Sequence, residues 1–162
     1  MNRHLIGSAF LCALALGFTA RAADAPEKAE PYVPGLGDLM TAYVQPHHMK
    51  LWMAGEAGNW PLADYEANEL GESFEDVSIL QGKWHDFPIA VLVQSKLTPA
   101  LATVQAAVKK QDKAGFKTAF EQLNAACNSC HRATGHAYIA IKTPSGPAFD
   151  DQDFKPQTSN SK

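Results

Sequence analysis

Cysteine is scarce in this chain, with three residues in 162. Cys127 and Cys130 lie close together, and no second pair exists that could complete the ligand set of a structural zinc site. Cys12 lies far away, in an N-terminal apolar segment. The scarcity therefore argues against a zinc-binding domain built on two cysteine pairs.

Several signatures of nucleic-acid and nucleotide binding are also missing. The sequence has no basic run, no interleaving of basic and aromatic residues and no glycine-rich phosphate loop. Nucleic acids and nucleotides are therefore poor candidates for a partner. No internal repeat is evident, and a chain of this length makes one domain with one hydrophobic core.

The two neighbouring cysteines belong to the segment Cys127-Asn128-Ser129-Cys130-His131, a C-x-x-C-H motif typical of covalent attachment of a c-type haem. On a helix, Cys127, Cys130 and His131 stand at i, i+3 and i+4 and project from one face. The two sulfurs can then form thioether bonds to the haem, while His131 supplies the proximal nitrogen ligand to iron. The motif predicts one covalently bound haem c.

Three other interpretations use the same side chains. A thioredoxin-like redox pair is expected beside a βαβ pattern, whereas the residues before Cys127 have helical spacing. A zinc site could recruit His136, but adjacent Cys130 and His131 would crowd a tetrahedral metal. A plain disulfide between the two cysteines leaves His131 without a role.

The N-terminus has the composition of an export signal. A short basic start precedes an apolar run at residues 5–19, and Ala20-Arg21-Ala22 resembles a cleavage site. The run is too short for a convincing transmembrane span. Cleavage near Ala22 predicts a periplasmic, soluble mature chain of 140 residues, and the loss of Arg3 and Arg21 leaves 12 basic against 17 acidic residues.

Two helices are predicted after a lead-in, residues 23–35, that is rich in proline and glycine. Apolar residues recur at helical spacing from residue 36 to about residue 53, and Pro46 is expected to kink this helix or restart it. The second helix runs to about Leu80. Its acidic residues are expected to form a solvated surface or a docking patch for a basic redox partner. They are Asp64, Glu66, Glu69, Glu72 and Glu75.

Two further helices complete the pattern. The third spans residues 89–108, with Pro99 suggesting a new start near Thr98. Asp112 is expected to cap the fourth, which carries the haem motif in line with an apolar stripe (Phe116, Phe120, Leu123). The expected fold is all-α, an antiparallel four-helix bundle over residues 36–136. Residues 137–162 are expected to form an extended, irregular C-terminal tail.

Short segments outside the motif carry a family resemblance. They are His48-Met49-Lys50-Leu51-Trp52, Ala54-Gly55, Asn59-Trp60, Leu62-Ala63, Tyr65-Glu66 and Glu69-Leu70. Together with residues 126–131, they make the chain similar to a group of exported bacterial haem proteins, over roughly residues 36–131. That group is related to cytochrome c′ and its low-spin c-556-type relatives, which one C-x-x-C-H motif near the end of a fourth helix also resembles. The resemblance implies an exported four-helix bundle with one haem. The chain departs from that pattern in its long tail, where Phe149 or Phe154 could cover the haem edge.

The sixth iron ligand has three candidates. In the resembling family the distal residue comes from the first helix, which places this position near Met40 or Thr41. His48 lies two turns further along nearly the same face, with His47 beside it. We rank His48 first, Met40 second and His47 third.

Two functional classes follow from the sixth position. A protein ligand there suits electron transfer with a redox partner protein, whereas an open iron suits a binder or sensor of nitric oxide or carbon monoxide. We expect an electron carrier first and a gas binder as the alternative. An enzyme is a weaker expectation, because the sequence cannot show that His48 or Glu56 stands over the haem. The resemblance also implies a homodimer, for which Trp52 or Trp60 could provide a contact.

Overall fold

The computed structural model describes residues 30–146 and 149–157. The predicted signal peptide, residues 1–22, lies outside the described residues. The described chain forms four long helices: α1 (36–57), α2 (Trp60–Leu80), α3 (89–109) and α4 (Lys113–Ala133). None of the described helices is long and apolar enough to cross a membrane.

The four helices close into a bundle. Helix α1 packs on α2, α2 on α3 and α3 on α4, and contacts between α4 and α1 complete the ring. Short connections force sequential helices to run antiparallel. The predicted all-α four-helix bundle is confirmed, with the C-x-x-C-H motif in the last turns of α4 and an irregular chain after it.

Side-chain caps begin two of the helices. The Oδ1 atom of Asn59 accepts from the Leu62 N–H at 3.3 Å before α2, and the Oδ1 atom of Asp112 accepts from the Gly115 N–H at 3.0 Å before α4. Each cap satisfies a donor that the first helical turn leaves without a backbone partner. The predicted cap at Asp112 is therefore confirmed.

Helices α1 and α3 each contain one π-helical turn directly before a proline. In α1 the turn spans Met40–Val44, and the Gln45 N–H bonds to the carbonyl of Met40. In α3 it spans Val93–Leu97, and the Thr98 N–H bonds to the carbonyl of Val93. Proline lacks the N–H that would bond four residues back, and its ring crowds that carbonyl. The wider turn lets both helices continue where the sequence predicted a kink or a new start.

The core is apolar and runs the length of the bundle. Phe116, Phe120 and Leu123 of α4 are fully buried, as the apolar stripe predicted. They meet Leu51 from α1 and Leu70 from α2, which are also fully buried. Burial of each such side chain contributes about 1.5–3 kcal/mol, so α4 is fixed at the centre of the fold.

Close approach between α1 and α4 depends on Gly55. A Cβ atom at this position would overlap the ring of Phe116. Trp52 stacks on the same ring with centroids 5.8 Å apart, and Trp60 meets it edge-on at 6.1 Å. Both tryptophans are therefore packed against α4.

Replacing Gly55 by Ala is expected to lower the free energy of unfolding by about 1–3 kcal/mol, because the added methyl group overpacks a buried contact. Gly71 is the matched control, since it also lies inside a helix but a Cβ there would sit 3.5 Å from Leu101. Gly71→Ala is expected to raise the free energy of unfolding by up to about 1 kcal/mol. Chemical denaturation compares the two variants, and shifts of the same sign would contradict the packing argument.

Candidate functional site

A cavity of about 290 Å³ lies between the helices around the C-x-x-C-H motif. Its wall is largely apolar and takes residues from all four helices and from the tail. Both π-helical turns contribute to it. The apolar lining includes Leu36, Met40, Val44, Leu70, Phe74, Ile89, Val93, Leu97, Ile139 and Ile141. Cys127, Cys130 and His131 line the same cavity from α4.

No disulfide joins the two motif cysteines, so the disulfide interpretation gains no support. Burial raises the pKa of Cys127 to about 12, and the neighbouring Cys130 makes a smaller contribution to this rise. Burial also raises the pKa of Cys130. Both side chains are therefore neutral thiols at pH 7. Within the described residues no group of three or more histidine, cysteine or acidic side chains could hold a metal ion, so the zinc interpretation gains no support.

The ring of His131 is oriented by the chain that follows α4. Its Nδ1 atom lies 2.8 Å from the carbonyl oxygen of Ile139. A carbonyl can only accept a hydrogen bond, so Nδ1 carries the proton and donates. The lone pair that could bind a metal is therefore on Nε2.

His48 is a buried cavity residue held by Asn124. Its side chain lines the cavity from α1 and is 6 % exposed. The His48 Nε2 atom lies 2.6 Å from Asn124 Oδ1, and the Asn124 Nδ2 atom donates to Thr143 Oγ1 at 2.9 Å. Nε2 is thus the donor, and Nδ1 keeps the lone pair. Burial lowers the pKa of His48 more than the bond to Asn124 raises it, so the ring is neutral at pH 7.

The other two candidates for a sixth ligand lie in different surroundings. Met40 lines the cavity from the π-helical turn of α1, as does Thr41. His47 is not among the lining residues. Its Nδ1 atom lies 2.8 Å from Oε2 of Glu66. Glu66 is 2 % exposed, so the expectation of a solvated acidic surface on α2 is wrong for this residue.

Two cavity residues were not expected from the sequence. Trp84 lies in the connection between α2 and α3, where it pairs with Phe87 through two backbone hydrogen bonds. The ring of His136 packs edge-on against Trp84 with centroids 5.0 Å apart. Both line the cavity. Trp84 is brought to His136 only by tertiary packing, which leaves no local sequence signal.

The C-terminal tail lines the cavity with other residues than the two phenylalanines expected from the sequence. Ile139 and Ile141 line it, whereas neither Phe149 nor Phe154 does. Phe154 is 8 % exposed and belongs to the hydrophobic core, and the Phe149 ring lies 4.9 Å from Nζ of Lys50. The hypothesis that these phenylalanines cover the haem edge therefore gains no support.

Replacing Asn124 by Ala is expected to lower the free energy of unfolding by about 1–3 kcal/mol, because it leaves the buried His48 N–H without an acceptor. Asn68→Ala is the control, since Asn68 is exposed and bonds only to Gln105 at 3.5 Å. Its effect is expected to stay within about 0.5 kcal/mol. Urea denaturation measures both variants, and an Asn124 variant as stable as the control would contradict the buried network.

Comparison with known proteins gives one family match. Residues 65–133 match the family model described as Cytochrome C′, a span that runs from within α2 to the end of α4 and includes the C-x-x-C-H motif. No curated protein and no solved structure matches the chain significantly. The matched family is one of haem-binding cytochromes, and the four-helix bundle agrees with it. The match and the fold together support a cytochrome c′-like protein.

Proposed function

We propose that this protein is a periplasmic monohaem c-type cytochrome that carries single electrons. Cys127 and Cys130 hold the haem by thioether bonds, and His131 binds the iron through Nε2. When bound, the haem supplies a one-electron iron couple. The proposal rests on one observation above all: two histidines, His131 from α4 and His48 from α1, line one apolar cavity.

The residues around the cavity fit this cofactor. The two sulfurs project from the same face of α4 as His131, as covalent attachment requires. The volume of about 290 Å³ is close to the lower end of the range for small-molecule sites, roughly 300–1,000 Å³. Apolar walls exclude water from the iron and leave the few polar groups to orient the ligand. One motif beside one cavity supports a single haem.

His48 is the sixth ligand we favour. The side chain is already immobilised by Asn124 and by the ring of Phe120, whose centroid lies 4.6 Å away. A ligand held in place before binding loses less conformational entropy when it binds. Met40 ranks second because it lines the same cavity, and His47 ranks third because it is bonded to Glu66.

A gas-binding role is the alternative, and one contact favours it. The Nε2 atom of His48 is engaged with Asn124 at 2.6 Å, so coordination through Nε2 would require that bond to break. If His48 keeps this bond and Nδ1 does not reach the iron, the sixth position opens onto apolar side chains. Such a pocket suits nitric oxide or carbon monoxide.

An enzymatic role gains less support from the contacts. General acid–base catalysis needs a titratable group at the reacting atoms. Glu56, a half-buried carboxylate near the end of α1, lies 3.2 Å from Nζ of Lys117 and is not among the residues that line the cavity. The chain is therefore proposed to act as a carrier or ligand binder.

Export and partner choice complete the proposal. The signal peptide is proposed to be cleaved near Ala22, which leaves a mature chain with an excess of acidic residues. The exposed carboxylates Glu72 and Glu75 of α2 would attract a basic redox partner at low ionic strength.

A homodimer would use exposed Tyr43 and Tyr65 of the first two helices, because Trp52 packs inward on Phe116.

Replacing both Cys127 and Cys130 by Ser is expected to abolish covalent haem attachment, since no other cysteine remains after signal cleavage. The measurement is haem staining of the denatured chain together with its intact mass. Each single substitution is expected to leave one thioether bond and a haem that still resists extraction. A double variant that keeps its haem through denaturation would contradict the attachment site.

Replacing His48 by Ala is expected to convert a low-spin visible spectrum into a high-spin one and to let carbon monoxide bind the reduced protein. The controls are His47→Ala, which lies outside the cavity lining, and Met40→Leu, which preserves volume. Both are expected to keep the wild-type spectrum. A wild type that is already high-spin and binds carbon monoxide would contradict the ligand assignment and favour the gas-binding role.

A further inference from the structure

We propose that residues 139–143, here called the tail strap, position His131 and thereby set the redox potential of the haem. This inference rests on the proposed function, in which His131 binds the iron. It assigns a role to the part of the chain that follows the matched family region, which ends at residue 133.

Three side chains of α4 hold the tail strap along one helix face. His131 Nδ1 donates to the carbonyl of Ile139 at 2.8 Å. Asn128 bonds twice to the backbone of Ile141, donating to its carbonyl and accepting from its N–H, both at 2.7 Å. Asn124 donates to Thr143 at 2.9 Å. These positions are spaced by four and three residues, so they follow one stripe of the helix.

Asn128 is the residue that fixes the register of the strap. A side-chain amide that bonds both backbone groups of one residue mimics the pairing of a neighbouring strand. Because Ile141 is fixed, the carbonyl of Ile139, two residues earlier, is presented to the imidazole. Asn128 is also one of the two central residues of the C-x-x-C-H motif. Thioether attachment requires no particular side chain at these two positions.

The hydrogen bond to Ile139 acts on the iron through the imidazole. It keeps the proton on Nδ1, which leaves Nε2 as the metal ligand and fixes the rotation of the ring. A donated Nδ1–H also increases the electron density on Nε2. A more basic axial ligand stabilises ferric over ferrous iron, so the strap holds the redox potential lower than a solvent-exposed imidazole would. Asn128 is therefore a positioning residue, because it acts through His131.

The test is the midpoint potential of the full-length, haem-loaded protein and three variants. Asn128→Ala removes both bonds to the strap and is expected to raise the potential. Asn128→Gln keeps the same amide one methylene further out, and its potential is expected to lie between those of wild type and Asn128→Ala. Ser129→Ala, at the other central position of the motif, is expected to match wild type. Among the described residues the Ser129 side chain makes no hydrogen bond, which makes it the control.

A second measurement follows proton exchange at His131. The Nδ1–H of His131 is expected to exchange with solvent at least about tenfold more slowly in the wild type than in Asn128→Ala, as loss of a hydrogen bond to a fixed carbonyl implies. Proton nuclear magnetic resonance of the haem-loaded protein gives this rate. If Asn128→Ala does not accumulate, wild-type protection of the Nδ1–H and the Asn128→Gln potential decide the question.

The outcomes separate this inference from the proposed function. A wild type without covalent haem, or with another residue in place of His131 on the iron, would overturn both. A correctly loaded wild type whose Nδ1–H exchanges at the solvent rate would overturn the tail strap alone. Equal potentials in Asn128→Ala and Ser129→Ala would do the same.

Discussion

The fold depends on one constraint, which is that a single face of α4 serves both the hydrophobic core and the cofactor. Phe116 and Phe120 are fully buried on that face, and Cys127 follows seven residues after Phe120, close to two helical turns later. The depth at which the phenylalanines pack therefore sets the position of the thiols. Gly55 sets this depth from the other side, because α1 can approach the ring of Phe116 only without a side chain. In the proposed function, the packing of the core therefore determines where the haem is attached.

Room for a cofactor arises from irregular turns in α1 and α3. Each π-helical turn holds one extra residue, and π-turns of this kind occur frequently at functional sites. Pro46 and Pro99 explain their position, since each proline follows its turn closely and cannot supply the regular hydrogen bond. The turns bring Met40 and Val93 to the cavity wall. The two prolines thus locate the haem site within the helices.

Local features of the sequence predicted much of this structure, and contacts between distant residues account for the rest. Helical periodicity gave the four helices, and Asp112 and the C-x-x-C-H motif marked the start and the end of the last one. The bond between His47 and Glu66 was not predicted, although Glu66 stands four residues from both Leu62 and Leu70 and so lies on the apolar face of α2. The bond between His48 and Asn124 spans 76 residues and has no local signature. The tail was predicted to be irregular, and its described backbone has no helix or strand. Its bonds to α4 were not predicted, because they depend on side chains that polarity alone does not distinguish.

The network that immobilises His48 also restricts which of its two nitrogens is free to bind iron, because Nε2 is engaged with Asn124. Coordination through Nε2 would exchange a buried hydrogen bond to Asn124 for a bond to the metal, and leaving that amide unpaired costs about 1–3 kcal/mol. A difference of this size changes the ratio between iron-bound His48 and His48 bonded to Asn124 by about 5–150-fold. In the proposed function, the bond between His48 and Asn124 is therefore strong enough to decide between electron transfer and gas binding. Since Asn124 also bonds to Thr143, the tail that orients His131 bears on this balance as well.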